Sequence, residues 1–176
     1  MRRTQYLVAS LIIIGIIAFG LINYKKANYV VPVNLTQEER ADYEAKIVEA
    51  NDKIKAVKAP ERPDIDYFID KARFLEYLGR YSDAINTLLD SLKYYENTSV
   101  GWNNLAKLYE KVGDYKSAIF FYGKLVDVFS MNRYYLDIAW DYYRIGKLDL
   151  AREAYGRFAQ ITMSKDIELY NLLYVK

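Results

Sequence analysis

The sequence predicts an all-α fold: an N-terminal transmembrane helix, then an α-solenoid of three stacked helix pairs, then a C-terminal capping helix. Three observations predict it. Gly79-Arg80-Tyr81, Gly113-Asp114-Tyr115 and Gly146-Lys147-Leu148 are each followed by an alanine, at Ala84, Ala118 and Ala151. The glycines recur at 113−79=34 and 146−113=33 residues, a fixed period of the length that marks stacked helical units. Apolar residues recur at helical spacing on both sides of each glycine. Finally, Leu7 to Ile22 reads LVASLIIIGIIAFGLI, an almost wholly apolar run.

The apolar run comes first in the chain. Thr4 to Tyr24 carries no charge, and a helix of that length spans about 31 Å, one hydrocarbon core. Tyr6 and Tyr24 stand where interfacial aromatics belong, and Lys25-Lys26 stops the run. The segment lacks a GxxxG motif for helix dimerisation. Ala18-Phe19-Gly20 offers the small residues of a signal-peptidase site. The apolar run continues past it, however, so the expectation is an uncleaved anchor over residues 1–25, with membrane contact through 5–24. Arg2 and Arg3 against Lys25 and Lys26 give a slight charge bias. The expected topology is single-pass, N-in, with the repeats extracytoplasmic.

Residues 26–36 read as an extended spacer, because Val30-Val31-Pro32-Val33 is β-branched and carries a proline. Thr36-Gln37-Glu38-Glu39 is a capping box opening a helix within residues 37–59. Tyr43, Ile47, Ala50, Ile54 and Val57 are spaced 4, 3, 4 and 3, a short heptad seam. That seam has two uses. It packs as a capping helix on the first pair, or it forms a short coiled coil and a homo-oligomer through residues 43–57. Pro60 and Pro63 end the helix.

Residues 64–176 are the repeat domain. Asp64 caps the first helix, and Phe68, Ala72, Leu75 and Leu78 mark its apolar face up to Gly79. Tyr81, Ala84, Ile85, Leu88 and Leu92 follow. The second unit carries Trp102, Leu105, Ala106 and Tyr109, then Ala118, Ile119, Tyr122 and Leu125. The third carries Tyr135, Ile138, Ala139 and Tyr142, then Ala151, Tyr155 and Phe158. Ser164 is expected to cap a last helix from Lys165.

Composition narrows the chemistry. The chain is 52% hydrophobic and 27% charged, enough apolar surface for a packed core. It has no cysteine and no histidine, which removes thiol nucleophiles, disulfides, the commonest general base and the commonest metal ligand. No phosphate loop, nucleophile elbow or metalloprotease motif is present. We therefore expect no enzyme, no catalytic residues, no cofactor and no metal. A net charge of +2 and the absence of an RNA-binding signature argue against nucleic acid. The 19 tyrosines suit wide helix-pair interfaces, where an apolar ring keeps a polar tip.

The three units resemble tetratricopeptide repeats. The second fits best: WNNLAKLYEKVGDYKSAIFFYGKL has the family's large residue, Leu, small residue and Tyr at Trp102, Leu105, Ala106 and Tyr109, then the Gly-Asp-Tyr turn and Ala118. The likeness covers roughly residues 65 to 165. Lys71 departs from it, standing where a large apolar residue belongs. Ser91 and Leu125 replace a small residue late in the second helices, and Ser130 stands where a proline is usual.

The resemblance implies a scaffold that binds protein or peptide partners in a concave groove lined by first helices. Carried over by register, the groove positions are Ile69, Arg73 and Tyr77, then Asn103, Lys107 and Lys111, then Leu136, Trp140 and Arg144. Spacing of i, i+4, i+8 keeps each triplet on one helical face. The expected binding residues are Arg73, Asn103, Lys107, Lys111, Trp140 and Arg144. The nine positions include no acid, so the expected ligand is an acidic or C-terminal-carboxylate peptide with an apolar anchor on Trp140. The bland alternative is a solvated face of long side chains. At the level of function, the expectation is a membrane-anchored scaffold or adaptor at the cell envelope. The alternative is a structural subunit of a larger envelope, pilus or secretion complex.

Overall fold

A computed structural model describes residues 29–163 and 165–175. These residues form eight helices: α1 (Gln37–Ala56), α2 (Ile65–Tyr77), α3 (Tyr81–Ser91), α4 (Ser99–Lys111), α5 (Tyr115–Phe129), α6 (Tyr134–Arg144), α7 (Leu148–Thr162) and α8 (Ile167–Tyr174). Helices α2–α3, α4–α5 and α6–α7 are the three expected pairs, with α1 packed on α2 and α8 on α7. Among the described residues no helix is long and apolar enough to cross a membrane. The expected span, residues 5–24, lies outside the described residues.

One turn is built three times. Gly79, Gly113 and Gly146 have φ of 73°, 78° and 74°, left-handed backbone that glycine adopts without a Cβ penalty. At the first turn Gly79 N–H donates to the Glu76 carbonyl and Arg80 N–H to the Leu75 carbonyl, both at 2.8 Å. Gly113 and Asp114 repeat this onto Glu110 and Tyr109, and Gly146 and Lys147 repeat it onto Tyr143 and Tyr142. Each turn thereby satisfies two orphan carbonyls of the first helix and reverses the chain into the second.

The small residues do what their size dictates. Ala106, Ala139, Ala84, Ala118 and Ala151 have no exposed surface, and Ala72 is buried, so paired helices approach closely across them. Larger side chains fill the remaining space, Trp102, Leu105, Tyr122, Ile85 and Leu88 among them. Of the departures, Ser91 is buried and its hydroxyl donates to the Leu88 carbonyl at 2.6 Å. Leu125 is wholly buried. Ser130 closes α5 in the left-handed conformation, φ 54°.

The Thr36 capping box forms as expected. Glu39 N–H donates to the Thr36 hydroxyl, and Thr36 N–H donates back to the Glu39 carboxylate. The seam of α1 packs against α2 of the same chain: Ile47 and Ala50 are buried, and the Tyr43 ring lies 6.0 Å from Phe74 and 5.3 Å from Tyr77. Lys71 is accommodated because α1 supplies a polar partner, its ammonium donating to the Asn51 side chain at 3.1 Å. The C-terminal cap differs from expectation. Asp166 is the N-cap of α8, accepting from Leu169 N–H at 2.9 Å, and the helix begins at Ile167 rather than Lys165.

The spacer is a structural element. Val31 N–H donates to the Gly79 carbonyl at 2.9 Å, Ser82 N–H to the Tyr29 carbonyl at 3.2 Å, and Tyr29 N–H to the Ser82 hydroxyl at 2.6 Å. Val30 and Arg80 form an isolated antiparallel bridge. Residues 29–33 are thus a strap across the first turn. A Cβ on Gly79 would collide with the Val31 carbonyl oxygen, so this glycine is required twice, for its φ and for the close approach of the strap.

Candidate docking face

The first helices α2, α4 and α6 stand side by side, and side chains join them directly. Lys111 on α4 pairs with Glu76 on α2. Arg144 on α6 donates to Glu110 on α4 at 2.8 Å. Tyr134 on α6 donates to the Asn103 side-chain oxygen on α4 at 2.9 Å. All nine residues expected in the groove lie on these three helices.

A pocket of about 290 Å³ opens between α4 and α6, lined by Lys107, Glu110, Lys111, Tyr115 and Arg144. It gathers three of the six expected binding residues. Lys107 and Lys111 are exposed, and the Arg144 guanidinium stacks over the Tyr115 ring at 5.3 Å. The other three stand elsewhere. Arg73 is exposed on α2, paired with Asp70 and 5.7 Å from the Phe74 ring. Asn103 is half-buried and committed to Tyr134. Trp140 is half-buried, its indole N–H donating to Asp166 at 3.3 Å.

The charge of this face corrects the sequence expectation. Glu110 lines the pocket beside the cations, Glu76 pairs with Lys111, and the buried Asp141 pairs with Arg144 from below. The carboxylates escape the i, i+4, i+8 triplets because each cation reaches back into the preceding repeat. Glu76 and Glu110 occupy the position three before the turn glycine, and Lys111 and Arg144 the position two before it in the next unit. Trp140 is likewise not a free apolar anchor, since the cap of α8 engages it. A second, larger cavity of about 410 Å³ lies away from this face, between α1, α2 and α3, and includes Lys71, Asn51, Asp83 and Asp90. Burial lowers the Lys71 pKa there.

Beneath the α4–α6 pocket lies a buried polar network that residue type alone does not announce. Asp141 has no exposed surface; its Oδ1 accepts from Arg144 at 2.7 Å, and its Oδ2 has no hydrogen-bond partner. Glu110 also accepts from the Tyr122 hydroxyl at 2.6 Å. Burial, then the neighbouring Glu110 charge, raises the Asp141 pKa, opposed by Arg144. The same two causes push Asp137 up to about 6, opposed by Lys107 and Arg133. Burial and the bond to Glu110 hold the Tyr122 phenol far above its usual range. Among the described residues no cluster of three or more carboxylates is placed to hold a metal ion.

The fold is that of a helical-repeat solenoid, with its first helices side by side along one face. Residues 101–129, the α4–α5 pair, match the tetratricopeptide repeat family. Among solved structures, the chain is similar to a crystal structure of MamA protein at 17% identity, with a TM-score of 0.60, covering 78% of this chain and 73% of that one. A second crystal structure of MamA matches at 17% identity and a TM-score of 0.60, covering 81% of this chain and 82% of that one. At such identity the likeness is one of fold. No curated protein matches the sequence.

Proposed function

We propose that the chain is a membrane-held docking scaffold. Residues 5–24 anchor it with the N-terminus inside, and the α2–α4–α6 face holds a segment of a partner protein outside the cytoplasm, at the cell envelope. The observation that carries this reading is the pocket between α4 and α6, where Lys107, Lys111 and Arg144 converge with Glu110 and Tyr115. Two of its cations, Lys111 and Arg144, are already paired with carboxylates. A partner carboxylate therefore docks by competing with Glu76 or Glu110, which favours specificity over raw affinity.

The alternative, a structural subunit assembled through the juxtamembrane helix, needs the seam from Tyr43 to Val57. Ile47 and Ala50 of that seam are buried on α2, which leaves the alternative little apolar surface there. The test places a photo-crosslinking residue at Lys107 on the docking face, or at the exposed Gln160 on α7, in full-length protein in its membrane. Discrete adducts from position 107 and few from position 160 support the reading. Equal labelling, or adducts from position 160 alone, moves binding to another face.

A further inference from the structure

The strap fixes which edge of the solenoid is nearest the preceding chain. Val31 and Tyr29 hydrogen-bond to Gly79 and Ser82 at the first turn. The turns at Gly79, Gly113 and Gly146 share this edge, because Lys111 with Glu76 and Arg144 with Glu110 join adjacent first helices just before them. The opposite edge carries the loops between pairs. There Arg62 and Tyr95 tie the start of α2 to the end of α3 through the Tyr94 and Pro63 carbonyls, at 3.0 and 2.8 Å.

We propose that the turn edge faces the bilayer surface and rests against lipid headgroups, so that the α2–α4–α6 face opens sideways along the membrane. This rests on the reading of residues 5–24 as a membrane anchor. From Tyr24 to Tyr29 an extended chain reaches at most about 18 Å. The 13-residue helix α2 makes the solenoid about 20 Å thick between its two edges. The tether is therefore shorter than the domain is thick and leaves it on the turn edge. A tether this short also holds the edge at high effective concentration beside the headgroups, where weak contacts suffice. The edge offers such contacts: exposed Lys116 on α5, and at the start of α7 exposed Lys147 next to Leu148 and Leu150, each leucine 42% exposed. The exposed Asp149 between the leucines is paired to Arg152. Cations and apolar side chains together suit an interface. Exposed apolar residues occur on the opposite edge too, Met163 among them, so it is the strap that distinguishes the two.

The chain has no cysteine, so a single introduced cysteine carries a unique fluorophore. Full-length variants Lys116→Cys and Lys147→Cys mark the turn edge; Asn97→Cys and Lys165→Cys mark the opposite one. All four sites are exposed, and two per edge guard against one variant misfolding. Each is reconstituted into phosphatidylcholine vesicles containing phosphatidylglycerol and a headgroup-attached quencher, then floated on a density gradient. Flotation with several-fold stronger quenching at 116 and 147 than at 97 and 165 is the expected result. Flotation with equal or reversed quenching overturns the orientation while leaving the anchor reading standing. Failure to float overturns both.

Discussion

Arg144 joins two repeats: its guanidinium donates to Glu110 at 2.8 Å on the preceding first helix and to the buried Asp141 at 2.7 Å on its own. Lys111 and Glu76 form the equivalent rung one repeat earlier. A rung between exposed partners contributes about 1 kcal/mol or less. Arg144 differs because Asp141 has no exposed surface, so removing the guanidinium strands a buried carboxylate. Arg144→Met should cost about 1–3 kcal/mol in urea unfolding, and Lys111→Met distinctly less. Equal losses would show that Asp141 does not depend on Arg144.

The same network sets a pH dependence. Asp137 is raised to about 6 and Asp141 is also raised, whereas both ionise near their ordinary value in the unfolded chain. Where a folded pKa is raised, the unfolded state loses its proton first. The contribution to stability is therefore fully present below the unfolded pKa and is lost as pH rises through the folded one. Glu110, Lys107, Arg133, Arg144 and Tyr122 surround the pair. Stability should fall by about 2 kcal/mol from about pH 4 to about pH 7 on this account. Asp141→Asn, which keeps an acceptor for Arg144 without the charge, should flatten the slope. An unchanged slope in that variant would remove Asp141 as a source.

The three turn glycines should not be equivalent. Alanine at Gly113 or Gly146 meets no atom within 4 Å and pays only for positive φ, about 1–2 kcal/mol. Alanine at Gly79 pays that and also drives its Cβ into the Val31 carbonyl. Gly79→Ala should lose more stability than Gly113→Ala, and hydrogen exchange should show the Val31 amide deprotected. Matching losses with a protected Val31 amide would mean that the strap shifts without cost.

Trp140 reports on the C-terminal cap. Asp166 accepts from its indole and caps α8, and the Asp166 carbonyl accepts from Tyr155. Asp166→Ala should cost about 1–2 kcal/mol. It should also red-shift tryptophan emission, because Trp102, the other tryptophan, is buried and unaffected. Unshifted emission would show that Trp140 is held by packing alone.

The architecture was legible because its signals are local and repeated. Glycine at a fixed period, alanines that let helices meet, and the Thr36 and Asp64 caps each act within one turn or one pair. The sequence register brings Lys107, Lys111 and Arg144 to one pocket, as the structure has them, but does not show the carboxylates beside them. Glu76 and Glu110, paired with Lys111 and Arg144, stand in the preceding repeat, about 34 residues away along the chain. A pairing of Glu110 with Arg144 is visible only once adjacent first helices are laid side by side. The strap was missed for a similar reason. Val30-Val31-Pro32-Val33 announces extended chain, but its partner, the Gly79 turn, lies across the fold. Asp166 overrode the expected Ser164 cap because a carboxylate there serves α8 and Trp140 together.

Docking of partners on the α2–α4–α6 face, as proposed, requires its exposed cations. Reversing two exposed cations on it, Arg73→Glu with Lys107→Glu, leaves the packed core untouched. The most direct test compares crosslinked partner capture by this double variant and by wild-type protein from the same membranes, at equal expression and thermal stability. The account predicts that partners captured by the wild type are lost or reduced at least about tenfold, the effect of about 1.4 kcal/mol. Undiminished capture of every partner would contradict it.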